Sequence, residues 1–430
     1  MKKIYYFIIL ILTISAINII SEDKVDKDIL RMLIFADPHY FDPSLGTESK
    51  IFQEDESKSI KLHKESQKII EGLIEIINNN DSNIIIVPGD LSKDGEKKSN
   101  EIMSKYLAEI EKTGKRVFII PGNHDINSND SFSYSDVEGK LKTQNTSPEA
   151  FRRIFKNFGY EEALYLDSKS LSYIAALDEK TWLLAMSPLD SKNQIAGKFS
   201  FSTLSWMKSK LKEAVKKNIN VLAMNHHSIL EHYLYMDKIR KGRLIDDWKK
   251  VVSVVMKYDV KVVFTGHIHA NDIVKYEKDK KYIFDIATSS PIIWPPSYRL
   301  INYDEKKQEL LIKTKDIDYE FSKTSLQKYS YNFMKERFRY EAEKALIKIG
   351  VRGQSIDKIL PLVVETYIAY YYGDESNNQE NNFIKSISFL LNDEDEMVVF
   401  LANVLLGIWN DDTPDRDVKI DLNSGKLTNL

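Results

Sequence analysis

Cysteine is absent from all 430 residues. Disulfides, thiolate metal sites, cysteine nucleophiles and a lipid anchor on an N-terminal cysteine are therefore excluded. Any metal must be held by His, Asn and carboxylates. An excess of one charge is also lacking, because 61 basic residues stand against 64 acidic ones for a formal net charge of −3. No basic stripe stands out, so the charge gives no support for a nucleic-acid or acidic-lipid partner. Internal repeats and long low-complexity tracts are missing too. Histidine is scarce, with eight residues in the chain, which makes its placement informative.

What is present suits an ordinary soluble protein, 43% hydrophobic and 29% charged, long enough for one large α/β domain and a smaller one. One long apolar run occurs, residues 4–20, directly after Lys2 and Lys3. A short positive start followed by such a run reads as an export signal. No small-x-small cleavage site follows, and the run is near the lower limit for spanning a bilayer. Residues 1–21 are thus a cleaved signal, an uncleaved N-terminal anchor or, third, a buried helix. Either exported reading places the bulk of the chain outside the cytoplasm: periplasmic, extracellular, or membrane-anchored and facing outward.

A charged linker, residues 21–28, leads into the body. Five β-rich apolar runs then share one design, at residues 32–36, 84–87, 117–120, 221–224 and 260–264: each gives way within a residue or two to a polar cluster. Such runs suit strands covered on both faces. Between them, residues 60–78 and 100–112 carry apolar residues at helical spacing, the second ended by Gly114. Ser147-Pro148 opens another helix. Shorter strands at 165–174, 182–186, 282–287 and 310–312 suggest another sheet, and residues 127–146 read as a long polar loop. Alternating helices and buried strands imply a layered α/β domain over residues 31–318. After Tyr319 the texture becomes helical (321–349, 356–372, 382–391 and 397–408), which predicts a helical C-terminal domain at 319–430 without histidine.

The clusters after the five runs are Asp37-Pro38-His39, Gly89-Asp90, Gly122-Asn123-His124-Asp125, Asn225-His226-His227 and Gly266-His267-Ile268-His269. Six of the eight histidines lie in them; only His63 and His232 lie elsewhere, and both read as surface or helix residues. Open α/β sheets bind ligands just beyond the carboxyl ends of their strands, so adjacent strands would bring these pieces to one crevice. Glycine before three of the clusters permits sharp turns and close backbone approach. Two carboxylates, four imidazoles and one amide, from Asp37, His39, Asp90, Asn123, His226, His267 and His269, are too many donors for one ion and suit two. The mixture favours Mn, Fe or Zn over Ca or Mg alone. Two ions about 3.5–4 Å apart can clamp the attacking and leaving oxygens of phosphoryl transfer.

The order D-x-H, G-D, G-N-H-D, H and G-H-x-H resembles the calcineurin-like metallophosphoesterase superfamily over residues 31 to 305. The run Gly89-Asp90-Leu91-Ser92-Lys93-Asp94-Gly95 is similar to the G-D-L-T-x-D-G of its bacterial phosphodiesterase-like members. The resemblance implies an α-β-β-α sandwich with two metals. Asp37, His39 and His269 would hold one, Asn123, His226 and His267 the other, with Asp90 bridging. The family pattern favours His226 over the adjacent His227. His124 resembles the family's non-ligand histidine, which stabilises the transferring phosphoryl group or protonates the leaving oxygen, and Asp125 would orient its ring. Lys93, standing where purple acid phosphatases have a metal-binding tyrosine, and His39 in the first motif both depart from that branch. Arg299, in the 294–299 stretch, contacts a phosphate or else packs against the core, and Tyr40 borders the site.

These expectations amount to a binuclear metal-dependent phosphoester hydrolase, read as a phosphodiesterase for a small-molecule substrate outside the cytoplasm. The alternatives are an exported phosphomonoesterase or nucleotidase, and a non-catalytic scaffold that keeps the fold.

Overall fold

The computed structural model describes residues 29–188, 197–239, 242–373, 375, 382–411 and 414–430. The expected signal or anchor at residues 1–21 lies outside them. Among the described residues no helix is long and apolar enough to cross a membrane.

The first three strands are short and apolar except for Arg31 and Arg116, and they bury most of both faces. β1 (Ile29–Ile34), β2 (Ile84–Val87) and β3 (Arg116–Ile119) run parallel. The crossovers are α1 (Ser66–Asn78) and α2 (Lys97–Glu111). In α1 the buried residues Ile69, Ile70, Leu73, Ile74 and Ile77 form one apolar face, which packs in a common core with Met103 and Leu107 of α2. The segment read as a loop at 127–146 is instead a hairpin, β4 (Phe132–Ser135) with β5 (Gly139–Lys142). Its polar sequence hid it, because little of either strand is buried. α3 (Pro148–Ile154) follows, with Ser147 accepting from the Ala150 N–H as its N-cap.

The second sheet comprises β6 (Tyr165–Leu166), β7 (Tyr173–Ala176), β8 (Thr181–Met186), β9 (Asn220–Asn225), β10 (Val262–Thr265), β11 (Asp272–Lys278) and β12 (Lys281–Ala287). Alternation along β9 sorts its two faces: Leu222 and Met224 join the core shared with the first sheet, whereas Val221 and Ala223 pack with α4 (Phe201–Lys216) and α5 (Trp248–Lys257). Two sheets therefore lie between two helical layers. β13 (Ser297–Asp304) pairs antiparallel with β1, and β14 (Glu309–Asp316) pairs antiparallel with β13, extending the first sheet. This places residues 310–312 in the first sheet rather than with the other short strands.

The five motif-bearing runs are consequently divided, three in one sheet and two in the other, and the site sits at the seam between the sheets. The C-terminal helices are α6 (Leu326–Lys348), α7 (Gln354–Tyr372), α8 (Asn382–Phe389) and α9 (Glu396–Trp409), and they share a second core. The helical unit does not run to the end of the chain. Asp417–Asp421 pairs with β14, and Lys426–Asn429 completes a closing hairpin, so the chain returns to the first sheet.

Candidate metal centre

Each motif leaves its strand and turns at once. Asp37, His39, Asp90, His267 and His269 all have positive φ, between 40° and 66°. Such left-handed conformations cost non-glycine residues of order 1–3 kcal/mol each and persist where the surroundings over-determine them. Two glycines make room. A Cβ on Gly122 would fall 2.1 Å from Asp90 Oδ1, and one on Gly266 would fall 2.5 Å from Asp37 Oδ2.

The structure brings all seven candidate ligands together. Donor atoms of Asp37, His39, Asp90 and His269 lie within 4.8 Å of one another, as do those of Asp90, His226 and His267. Asp90 belongs to both groups, and Asn123 Oδ1 is 2.9 Å from His226 Nε2. His39 Nε2 faces His269 Nε2 at 3.1 Å, and His267 Nδ1 faces His226 Nε2 at 3.1 Å. Ring nitrogens facing one another at this distance suit lone pairs converging on a cation.

The hydrogen bonds on the far side of two rings set their tautomers. His226 Nδ1 donates to Pro88 O at 2.9 Å, leaving Nε2 for a metal, while His267 Nε2 donates to Gly242 O at 2.8 Å, leaving Nδ1. Asp37 accepts the His267 N–H at 2.8 Å, and Asp90 Oδ1 accepts the His124 N–H at 2.9 Å. Asp90 Oδ2 is buried without a hydrogen bond, 3.5 Å from His39 Nε2 and 3.3 Å from His226 Nε2. His227 instead lies beside the His267 ring, 4.3 Å between centroids.

Burial governs the charges. It pushes His39, His267 and His269 well below the usual imidazole range, keeping them neutral as ligands must be. Burial, with Asp90 nearby, lifts Asp37 to about 8 against the opposing His226 charge. Burial alone would raise Asp90 and lower His226, but their mutual attraction wins: Asp90 falls below the usual range and His226 rises to about 9. A proton thus stands between them where a metal ion would displace it. This donor set, with one shared carboxylate, fits two ions.

His124 lies beside the centre, its ring centroid 4.9 Å from that of His39. Its partner corrects the sequence reading. His124 Nδ1 is 2.8 Å from Asp94 Oδ1, whereas the Asp125 carboxylate accepts from Ser92 N–H and Oγ–H and from Gly122 N–H. Asp125 therefore braces the turns that carry Asp90 and Asn123 and does not orient the histidine. Asp94 is fixed in turn by Lys93, which also pairs with Glu56 at 3.3 Å.

Three other expectations change, for His63, His232 and Tyr40, and the packing alternative for Arg299 is the one the structure shows. His63 and His232 are buried rather than superficial. His63 pairs with Glu56 at 2.5 Å, and His232 sits between Asp272 at 3.1 Å and Asp285 at 3.4 Å. Arg299 is fully buried and donates to Ala287 O, Thr314 Oγ1 and Asp415 O. It ties β13 to its neighbours. Tyr40 is buried against Tyr106 and Asp42.

A cavity of about 840 Å³ opens over the centre, with Asp90, Asn123, His124, His267 and His269 in its wall. Lys61 and Arg243 line it as well, and sequence reasoning missed both. Burial lowers the Lys61 ammonium from its ordinary value, against the pull of Asp90, Asp94 and Asp37. Arg243 donates to His267 O, which places its guanidinium against the metal-side loop. Ser128 and Asp130, just before the β4–β5 hairpin, also reach the cavity.

Residues 30–271 match the family model described as calcineurin-like phosphoesterase. No curated protein matches the sequence. Among solved structures, a dimetal phosphatase from Danio rerio is 14% identical over 67% of this chain and 96% of its own, with a TM-score of 0.49. A purple acid phosphatase from yellow lupin (Lupinus luteus) is 12% identical over 67% of this chain and 52% of its own, with a TM-score of 0.41. A 5′-nucleotidase precursor from Thermus thermophilus is 10% identical over 74% of this chain and 60% of its own, with a TM-score of 0.37. The chain thus spans about half of the lupin enzyme.

Proposed function

The chain belongs to the calcineurin-like phosphoesterase family and is a metal-dependent phosphoester hydrolase, and we propose that it is a binuclear phosphodiesterase acting outside the cytoplasm. The observation that carries the binuclear reading is the division of six buried donors into two groups that share Asp90, with Asn123 against His226 at the edge of the second. Asp37, His39 and His269 would hold one ion, Asn123, His226 and His267 the other, and manganese, iron or zinc suits the set. Two such ions supply Lewis acidity toward phosphoryl oxygens and acidify a water nucleophile.

The remaining work belongs to this chain's own side chains. Lys61 and Arg243 face the cavity and neutralise the phosphate oxygens. With Nδ1–H donated to Asp94, the imidazolium form of His124 can give its Nε2 proton to the departing alkoxide oxygen. Asn123 and His226 are held in register by their 2.9 Å contact.

The diester reading rests on residues 89–95, whose G-D-L-S-K-D-G resembles the G-D-L-T-x-D-G of phosphodiesterase-like members. Part of the cavity wall is apolar and can cover an ester substituent. The extracytoplasmic reading rests on Lys2, Lys3 and the apolar residues 4–20. The test is to strip the purified chain of metal, restore manganese, zinc or iron, and compare bis(p-nitrophenyl) phosphate with p-nitrophenyl phosphate. Metal-dependent turnover with the diester faster is expected; a preference for the monoester would replace this reading with that of a phosphomonoesterase or nucleotidase.

A further inference from the structure

The cavity over the metal centre has two chemically different halves. One half carries the metal donors, His124, Lys61 and Arg243. The other is built by the C-terminal helices: Phe338 and Leu346 of α6, Val363 and Tyr367 of α7, and Phe400 and Val404 of α9. These side chains belong to elements that no motif calls for, yet they face the chemistry across an open chamber.

The sequence of α6 shows how the chamber arises. Its buried residues Leu326, Ser330, Met334, Phe338, Ala342 and Leu346 recur every four positions, a narrow stripe along an otherwise polar helix. The last part of that stripe packs in the second core, with the Phe338 ring 5.3 Å from that of Tyr367 in α7, and also borders the cavity, where the small side chains Ala342 and Ala345 leave space. One carboxylate, Glu341, interrupts the apolar lining. The lining also continues outward: Ile349 and Phe400 both line the cavity, yet are 47% and 45% exposed. Continuous with the apolar lining, these two side chains extend it into a patch at the mouth of a charged site, where an apolar ligand can be covered.

We infer that the substrate is amphiphilic: a phosphodiester, one of whose alcohols carries a long aliphatic chain that lies in this chamber while the phosphate meets Lys61, Arg243 and the metal side. This inference rests on the phosphodiesterase reading and names the substrate class for the same site. The charge pattern supports the orientation, with cations and metal donors at one end and aliphatic side chains at the other. The volume, about 840 Å³, is near the upper end for ligand pockets, ~300–1,000 Å³, and exceeds the needs of a phosphate with two small alcohols. Four aromatic residues, Phe338, Tyr367, Tyr371 and Phe400, also line the cavity. A nucleobase could stack on them, but its polar edge would then face the aliphatic side chains of Leu346, Val363 and Val404. The aliphatic chain is therefore the better occupant.

The test uses the full metal-loaded chain and p-nitrophenyl phosphodiesters whose second alcohol is methyl, butyl or octyl, each below its critical micelle concentration. Burying a methylene contributes up to about a fourfold gain in kcat/KM. Even partial burial of the longer chain should therefore raise the octyl ester above the methyl ester by roughly 100-fold. Ala345→Trp, which fills the chamber from the exposed side of α6, should flatten this dependence to less than about tenfold. Phe400→Asp, which charges the rim, should do the same if the first variant folds poorly. Methyl and octyl esters turned over equally by the native chain would overturn the chamber's role and leave the phosphodiesterase reading standing. The p-nitrophenyl ester of thymidine 5′-phosphate turned over faster than the octyl ester would overturn the aliphatic occupant in favour of a base. If no ester is turned over, the phosphodiesterase reading fails, and calorimetry with octyl and methyl phosphate still decides the chamber. Tighter binding of octyl phosphate by the native chain, lost in Ala345→Trp, supports it; equal binding overturns it.

Discussion

Replacing Asp94 by asparagine probes the one catalytic contact that the structure reassigns. Asp94 is largely buried, its side chain 13% exposed, and accepts from His124 Nδ1 at 2.8 Å. Asparagine has the same shape and can keep its oxygen on Nδ1, but its amide then faces Lys93, so the charge and the Lys93 contact are lost together. A hydrogen bond to a charged partner contributes about 1–1.5 kcal/mol more than a neutral one. If His124 protonates the leaving oxygen, that difference slows the step by roughly 5- to 12-fold. The loss should depend on the alcohol. p-Nitrophenolate departs with little need of a proton and should be almost unaffected, whereas phenyl and alkyl diesters should show the full deficit. The assay is kcat/KM for a series of diesters with graded leaving-group basicity, for the native chain and for Asp94→Asn, with metal content matched. Asp125→Asn is the control, because its carboxylate serves backbone N–H groups of the metal-bearing turns. That variant should lower Tm and metal occupancy without steepening the leaving-group dependence. A uniform deficit for Asp94→Asn across all leaving groups, or a steeper dependence for Asp125→Asn, would refute the reasoning.

Three further outcomes follow from the geometry. Asp90→Asn and His269→Ala should each reduce turnover by at least ~100-fold and bound metal from two ions to one or none, measured by elemental analysis, with circular dichroism unchanged. Gly122→Ala and Gly266→Ala place a Cβ 2.1 Å from Asp90 Oδ1 and 2.5 Å from Asp37 Oδ2. Each should displace its neighbouring carboxylate and weaken metal binding by ~10- to 100-fold, read by titration against a metal indicator. His232 gives a pH signature: burial alone would lower its pKa, but Asp272 and then Asp285 lift it to about 10 from the ordinary imidazole value of 6.5. Its ion pairs therefore contribute stability that is full below about pH 6.5 and lost as pH rises through about 10. Urea unfolding should show His232→Gln about 3–5 kcal/mol less stable at pH 6, with the gap closing near pH 10.5; a constant gap would contradict a charged His232.

Much of the site was legible because its signals are local. Glycine, histidine and aspartate directly after an apolar run reveal a strand that ends in a ligand, and the structure gathers the other six candidates around Asp90. Pairing between strands is not local. β2 and β9 carry similar apolar runs, yet one lies in each sheet, and nothing within either run states its neighbours. The contact between His124 and Asp94 spans 30 residues, while Asp125, adjacent in sequence, is drawn away by the N–H groups of Gly122 and Ser92. His232 looked superficial because its carboxylate partners lie 40 and 53 residues further on. Lys61 and Arg243 belong to no motif, and only folding brings them to the cavity. The closing strand Asp417–Asp421 is short and half polar, so its return to β14 was invisible in composition.

The central claim, a two-ion phosphodiester hydrolase sharing Asp90, is tested most directly by counting metal against turnover. The metal-stripped chain would be titrated with manganese, with bound ions per chain and hydrolysis of bis(p-nitrophenyl) phosphate followed in the same samples. Turnover is expected to stay low through the first equivalent and rise with the second, and Asp90→Asn should abolish that rise. Full turnover without metal, full turnover at one ion per chain, or two bound ions with neither a diester nor a monoester hydrolysed would contradict it.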